Sequence, residues 1–507
     1  MKADTFSYLI GVDAGTTSVK AVLINISGDI VASEKQEYTL DTGPNDLCEI
    51  DPEIYWDITC VVIRKIIRNS GINPELVSGI AFSSQGETLI VVDSNGKPLR
   101  KAIVWLDNRS VQEAQLIEEK FGKQHIMNIT GQPEVVATWP ATRILWLKKN
   151  ESRLFNRISK YLLVEDYLLF RLTGRFYSEH SLVSSTLYFN IITKQWWQEM
   201  LDYLEISQQQ LPELMISGSK VHHLTAEAAH ATGLTTKTIA VTGAYDHPSG
   251  AIGAGNITPG MVTCTIGASM AMCVTLEKPV RNISMKLPCQ CHAVHNLYFL
   301  LPYTQTAGLI LKWYKDEFCR EEIEIARKQN SNPYAIIIEH AEKIPPGTEG
   351  LILLPHFMGT GSPEFNSRIK GVFAGITPWM KKGHFVRAIL EAIVSTIEHN
   401  LQTMKQNGIV IEEIHAIGGG ARSHLWNQII ADMTGIPVIT RSQTENACLG
   451  AAILAGIGSG VFKDIMSACK VCVKQESKYE PNPAKYVQYQ ELYKKYLSLY
   501  RALENYW

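Results

Sequence analysis

Short apolar runs that end in small polar clusters recur along this chain. Tyr8 to Val12 and Val19 to Ile24 flank Asp13-Ala14-Gly15-Thr16-Thr17-Ser18. The pattern predicts a strand, a tight turn and a returning strand. Ile30 to Tyr38 follows as a third strand. Asp51-Pro52-Glu53 then reads as a helix start, with helical apolar spacing over Ile54 to Ile67. Val77 to Phe82 is strand-like and runs into Ser83-Ser84-Gln85-Gly86-Glu87-Thr88, and Ala102 to Trp105 runs into Leu106-Asp107-Asn108-Arg109. Polar clusters at strand ends are where sites form in open α/β sheets. From about 110 to 234 the pattern is mostly helical.

Beyond Thr238 the opening pattern returns. Ile239 to Gly243 is a strand ending at Ala244-Tyr245-Asp246-His247. Met261 to Thr265, then Ile266-Gly267-Ala268-Ser269, then Met270 to Leu276 repeats strand, glycine-and-hydroxyl turn, strand. This predicts an internal duplication with two related α/β halves, 1–255 and 256–507. His384 to Lys405 has helical spacing. Ile409 to Ile417 ends in Gly418-Gly419-Gly420-Ala421-Arg422-Ser423, and Ala447 to Ile457 reads as a small-residue helix. The stretch from Tyr479 reads as a solvated terminal helix.

At 507 residues the chain exceeds one ordinary domain, and 45% apolar with 19% charged residues fits a globular protein. Lys and Arg number 48 against 50 Asp and Glu, which gives no support for nucleic-acid or membrane-surface binding. No apolar run is long enough to span a bilayer. Lys2 and Asp4 precede the first strand without a leader pattern, and the ten cysteines are scattered. Reduced thiols in a cytoplasm are therefore expected. Cys289-Gln-Cys291-His292 with His295 suggests metal, yet it lacks the paired spacing of a structural zinc site. Alternation would put Cys289, Cys291 and Ala293 on one packed face. Cys469-Lys-Val-Cys472 is a lone C-x-x-C.

The first turn offers hydroxyls and backbone N–H groups for an anion, and Asp13 beside it suits a divalent metal. An ordinary hairpin is the alternative reading of that stretch alone. The sequence holds no G-x-x-x-x-G-K-[ST] loop.

Together these pieces resemble the FGGY carbohydrate kinases of the actin-like ATPase superfamily. Asp13-Ala-Gly15-Thr16-Thr17-Ser18-x-Lys20 resembles the family's first phosphate loop, and Ile266-Gly267-Ala268-Ser269 the second, with Ala268 where Thr is usual. Pro140-x-x-Arg143-x-x-Trp146-Leu147 resembles the first signature, with Arg for the usual Lys. Gly371-Val-Phe373-Ala-Gly375-Ile376, followed by His384-Phe385-x-x-Ala388-Ile389-Leu390-Glu391, resembles the second. Gly418-Gly419-Gly420-Ala421-Arg422-Ser423-x-Leu425-Trp426 resembles the adenosine motif.

The resemblance implies two ribonuclease-H-like domains with a catalytic cleft between them, ATP and Mg²⁺ as cofactors, and a sugar acceptor. It implies Asp13 at the metal. Gly15, Thr16, Thr17, Gly267, Gly308, Gly419, Gly420 and Ala421 would lie at ATP, with Ala421 and Leu425 walling the adenine. Asp246 would be the general base, an Asx turn or helix cap being the other reading. Gln85, Glu87, Asp107, Thr138 and His247 are the substrate-side candidates. Asp107 with Arg109 can instead be a structural ion pair, His247 a packing histidine, and Trp139, beside Thr138, a core residue. The resemblance is nearest xylulokinases, acting on a ketopentose such as xylulose. Fuculokinases come second, because Tyr245-Asp246-His247 departs from the usual pair. Gly86-Glu87, where glycerol kinases show Arg-Glu, argues against glycerol. A non-catalytic sugar sensor on the same fold is the alternative class. No nucleic-acid or membrane partner is expected, and a homodimer is compatible with the sequence.

Overall fold

The computed structural model describes residues 7–507; the reading drawn from Lys2 and Asp4 lies outside them. The first half builds a mixed sheet from β1 (Tyr8–Ala14), β2 (Ser18–Asn25), β3 (Ile30–Glu37), β4 (Val77–Ser84), β5 (Lys220–His223) and β6 (Ile239–Val241). Their order is β5-β6-β4-β1-β2-β3. The second half uses β7 (Met261–Ile266), β8 (Met270–Leu276), β9 (Cys289–Cys291), β10 (Tyr298–Leu300), β11 (Glu413–Ile417), β12 (Val438–Arg441) and β13 (Gln475–Tyr479), ordered β9-β10-β8-β7-β11-β12-β13. In each sheet an antiparallel run, of three strands in the first and four in the second, is joined by two parallel strands and closed by an antiparallel edge. The duplication read from the two hairpins is thus a duplication of whole sheets.

The helices that position the site are α1 (Pro52–Ser70), α2 (Val164–Thr173), α3 (Asp246–Ala254), α4 (Gly308–Phe318), α5 (Pro333–Glu342), α6 (Lys382–Gln406), α7 (His424–Thr434), α8 (Asn446–Gly458) and α9 (Pro483–Leu503). Helix α1 starts where the sequence says it should: Asp51 caps the N–H of Glu53, Pro52 fills the first position, and left-handed Gly71 ends it. Its apolar side, including Tyr55, Ile63 and Ile66, covers one face of the first sheet. The other face is covered from the second half, where Cys448, Leu449 and Ala452 of α8 meet Leu9, Val22 and Ala81. With both faces buried, β1 and β2 read as near-continuous apolar runs rather than alternating ones.

Helices α3 and α8 form the seam between the halves, and glycine lets their backbones touch. A Cβ on Gly450 would stand 1.9 Å from the Ser249 carbonyl oxygen. One on Gly253 would stand 1.9 Å from that of Asn446, and one on Gly11 1.8 Å from that of Cys448.

Two expectations change. The segment from 110 to 234 holds helices but also short strands, among them Lys160–Leu162, Tyr177–Glu179 and Glu213–Met215. They were hidden because two- and three-residue strands carry no readable period. The C-terminal helix is docked rather than solvated: Tyr489, Tyr493, Tyr496 and Tyr500, spaced four, three and four apart, are buried. The Tyr489 hydroxyl accepts from Arg387 at 2.8 Å and donates to Glu391 at 3.2 Å, both on α6. Glu491, Lys494 and Lys495 between the tyrosines masked this stripe. Among the described residues no helix is long and apolar enough to cross a membrane.

Candidate active site

Three carboxylates converge at the carboxyl ends of neighbouring parallel strands. Asp13 ends β1 and lies level with Ser83 on β4, which in turn pairs with Ala244 on the next strand. Asp246 follows Tyr245 and opens α3. Glu87 lies just past β4 in the left-handed region (φ 58°), an unfavourable conformation for a residue with a Cβ. The buried Arg143 holds that turn, donating to the carbonyls of Glu87 at 2.6 Å and Asp107 at 3.1 Å.

The three acids disturb one another. Burial, and then the Asp246 charge, lift the Asp13 carboxyl to about 6, while the Ser83 hydroxyl (2.9 Å) and Lys20 pull it down. The same two causes lift Glu87 to about 8. Burial also raises Asp246, against the pull of His247. One oxygen of Asp246, Oδ1, is buried without a hydrogen-bond partner. Its carboxylate takes a backbone hydrogen bond from His247, the local bond that the capping reading supposes, while Oδ1 stays unpartnered.

A Glu87 that keeps its proton near pH 8 in the folded chain has a consequence for stability. Its ordinary value is 4.5, so between 4.5 and about 8 the unfolded state ionises first and the native state loses stability as pH rises. Glu87→Gln removes this loss. Thermal unfolding without ligands is expected to show the variant gaining on the parent steadily from pH 5 to 8.

The first turn is braced from the acceptor side. Tyr38 Oη donates to the Gly15 carbonyl. Gln85 Nε2 donates to the same oxygen at 3.2 Å and to Tyr55 Oη at 2.8 Å. Trp105 Nε1 donates to Thr16 Oγ1 at 2.9 Å, and Thr17 is exposed. Gln85 thus holds the turn with its amide hydrogens rather than presenting them to a cleft. Asp107 is likewise committed: its oxygens accept from the Arg109 guanidinium at 2.8 Å and from Cys48 N at 2.6 Å. That is the ion-pair arrangement. Thr138 is half-buried, and Trp139 belongs to a buried cluster. His247 is half-buried, with its ring edge-on to Tyr245 at 5.2 Å.

The second turn meets a cavity of about 590 Å³. Ile266, Gly267 and Ala268 form one side, Gly419, Gly420, Arg422 and Ser423 another, and α4 and α5 close it with Leu309, Lys312, Tyr334 and Ile338. Gly308 opens α4 directly beneath the turn, since its Cβ would stand 2.5 Å from the Gly267 carbonyl oxygen. Gly418 (φ 85°) lies so close to β7 that a Cβ would sit 2.8 Å from the Ile266 carbonyl oxygen. Ala421 and Leu425 do not line the cavity; they pack on the core of the second half. The tight turn at Gly420–Arg422 leaves Arg422 and Ser423 on the cavity and Ala421 against the core. Gly308 was placed here from the sequence, but the other wall residues of α4 and α5 were missed because they lie more than seventy residues from the glycine motif. Cys289 and Cys291 are fully buried, with Lys194 Nζ 2.9 Å from Cys291 Sγ.

Comparison with known proteins covers nearly the whole chain. The model of the FGGY family of carbohydrate kinases, N-terminal domain, matches residues 8–253, and that of the C-terminal domain matches 262–459. The chain is 29% identical over 493 residues to a xylulose kinase of Bacillus subtilis (strain 168), covering 97% of this chain and 96% of the relative. It is 31% identical over 506 residues to a gluconokinase of Bacillus licheniformis, covering 98% and 96%. The crystal structure of a ligand-bound xylulose kinase from Lactobacillus acidophilus matches with a TM-score of 0.89 at 27% identity, covering 98% of this chain and 99% of that one.

Proposed function

This chain belongs to the FGGY family of carbohydrate kinases, and on that premise we propose that it transfers the terminal phosphoryl group of ATP to a hydroxyl of a neutral ketose, xylulose first among them. The observation that carries the reading is Asp246: a buried, unpartnered carboxylate oxygen close enough to Asp13 and Glu87 to raise both. A carboxylate so poised accepts the acceptor hydroxyl's proton as the new P–O bond forms. In this reading residues 1–255 are the acceptor half and 256–507 the nucleotide half, with adenosine in the 590 Å³ cavity and phosphates on the two turns. Gly15, Thr16, Thr17 and Gly267 then face phosphate, and Gly308, Gly419 and Gly420 give the backbone clearance that adenosine needs.

Asp13 suits Mg²⁺: burial and a neighbouring carboxylate lift it to about 6, and its nearest cation, Lys20, is held by Glu445 at 3.0 Å. When bound, Mg²⁺ offsets charge on the phosphoryl oxygens. At the acceptor end Glu87 and His247 remain the hydroxyl ligands of this reading, while Gln85, Asp107 and Thr138 shape the pocket behind them.

The names of the relatives offer xylulose and gluconate. The charged carboxylates of Asp13 and Asp246 disfavour an acceptor that brings its own carboxylate, Lys20 is held by Glu445, and Arg143 is buried against carbonyls. This favours the neutral ketose. A coupled assay of ATP consumption across ketoses, polyols and gluconate tests it. Turnover that depends on a neutral ketose is expected; sugar-independent hydrolysis, or none with any sugar, overturns the kinase reading, and a preference for gluconate overturns the choice of acceptor. Gly308→Ala, which pushes against the Gly267 carbonyl, is expected to raise KM for ATP several-fold and leave that for the sugar unchanged.

A further inference from the structure

Strand β6 does not end cleanly before Asp246. Its neighbour β5 pairs with it over residues 239–241 and turns away at Gly218, whose N–H reaches the Thr242 carbonyl. On the other side Ala244 and Tyr245 continue along β4. The amides of Gly243 and Tyr245 point to the abandoned side, because alternate strand residues share a direction. Buried N–H groups without partners are costly, so something must take the place of the missing strand.

Two carboxylates do. Glu165, in the first turn of α2, accepts from Gly243 N at 2.7 Å through Oε1. Glu179 accepts from Ser181 Oγ at 2.7 Å, and Ser181 Oγ in turn accepts from Tyr245 N at 3.1 Å. Glu179 is itself fixed by Ser181 N at 2.7 Å and Ser217 Oγ at 2.6 Å. Glu165, Glu179 and Ser181 are all wholly buried. Gly243 is pressed against β4, with room for no Cβ: one would stand 1.6 Å from the Phe82 carbonyl oxygen. The three residues before Asp246 are thus clamped between a backbone on one side and side chains on the other.

We propose that Glu165 and the Glu179–Ser181 pair are positioning residues for phosphoryl transfer, acting in place of a sheet strand to fix Gly243 and Tyr245 and so aim Asp246 at the acceptor hydroxyl. The inference rests on Asp246 being the base. All three lie wholly inside the fold, away from solvent. Burial raises Glu165 well above the ordinary carboxylate range, so glutamine is a close mimic of its native form, and its Oε2 has no partner to lose.

The test compares Glu165→Leu, Glu165→Gln and Ser181→Ala with the parent, measuring kcat, both KM values and thermal unfolding. A misaimed base lowers kcat without changing ground-state binding. Glu165→Leu and Ser181→Ala are expected to lose about 10- to 100-fold in kcat, with KM for ATP and sugar little changed. Glu165→Gln restores most of kcat, because it keeps the acceptor for Gly243 N–H. Full kcat in a folded Glu165→Leu, or a glutamine variant as impaired as the leucine one, overturns the proposal. Should the leucine variant not fold, Ser181→Ala decides, since it removes the acceptor for Tyr245 N–H and its link to Glu179: unchanged kcat there overturns it equally. Asp246→Asn is run alongside. Turnover that survives in Asp246→Asn overturns the base assignment itself, whereas an inactive Asp246→Asn beside unimpaired Glu165 and Ser181 variants overturns only the positioning role.

Discussion

Asp246→Asn is expected to lower kcat by about 10²- to 10⁴-fold, the range that a lost general base gives, while ATP still binds. The substitution keeps size and removes only basicity, so the geometry of α3 survives it. The polar contacts of Asp246 are local: a backbone bond from His247 and the 3.8 Å approach of His247 Nε2. The folded chain therefore has little to lose, and it gains relief from like charge, since Asp246 raises both Asp13 and Glu87. The variant should unfold at the same temperature as the parent or higher. Isothermal titration with an ATP analogue and steady-state turnover check the two halves of this expectation. Near-normal turnover would refute the base assignment.

Gly450→Ala is expected to have the largest effect on stability. Its Cβ would stand 1.9 Å from the Ser249 carbonyl oxygen, a backbone atom that cannot swing aside. Either α8 or α3 must shift, and each is pinned elsewhere by a contact of the same kind, Gly11 to Cys448 and Gly253 to Asn446. Overpacking in a tight core typically costs about 1–3 kcal/mol, occasionally more. Because α3 begins with Asp246, the displacement also moves the proposed base. A drop in Tm together with a drop in kcat, neither recovered by saturating substrate, is the expected pattern. Gly408→Ala is the control: it is also a glycine of the second half, with nothing within 4 Å of the new Cβ, though at φ 78° it carries backbone strain alone.

Much of this was legible in the sequence because it is local. Asp13 follows an apolar run and precedes a glycine turn, and that spacing survives into β1 and β2. The echo at Ile266 to Ser269 foretold the second sheet. What escaped were partnerships across long stretches of chain. Nothing near Trp105 announces that its indole holds Thr16, 89 residues away. Arg143 read as one letter of a signature, yet its work is to fix the Glu87 carbonyl, 56 residues back. The packing of Ala421 on the core and the bracing bonds of Gln85 were not legible for a related reason: sequence gives the element a residue sits on, but which way its side chain turns depends on the packing around a short turn. The tyrosine stripe of α9 was present in the spacing and obscured by charge.

The two hairpins share a topology but not a chemistry. The first carries Asp13 and Lys20 on paired positions and is braced by Tyr38, Gln85 and Trp105. The second, Gly267 to Ser269, is exposed and anchored through backbone alone, by Ala307, Gly308 and Leu309 donating to the carbonyls of Gly267 and Ala268. Hairpins of one topology are thus held in unequal ways. The first is fixed by side chains, so losing Tyr38, Gln85 or Trp105 loosens it; the second is fixed by backbone, so a change of side chain at Ala268 leaves its anchoring bonds in place.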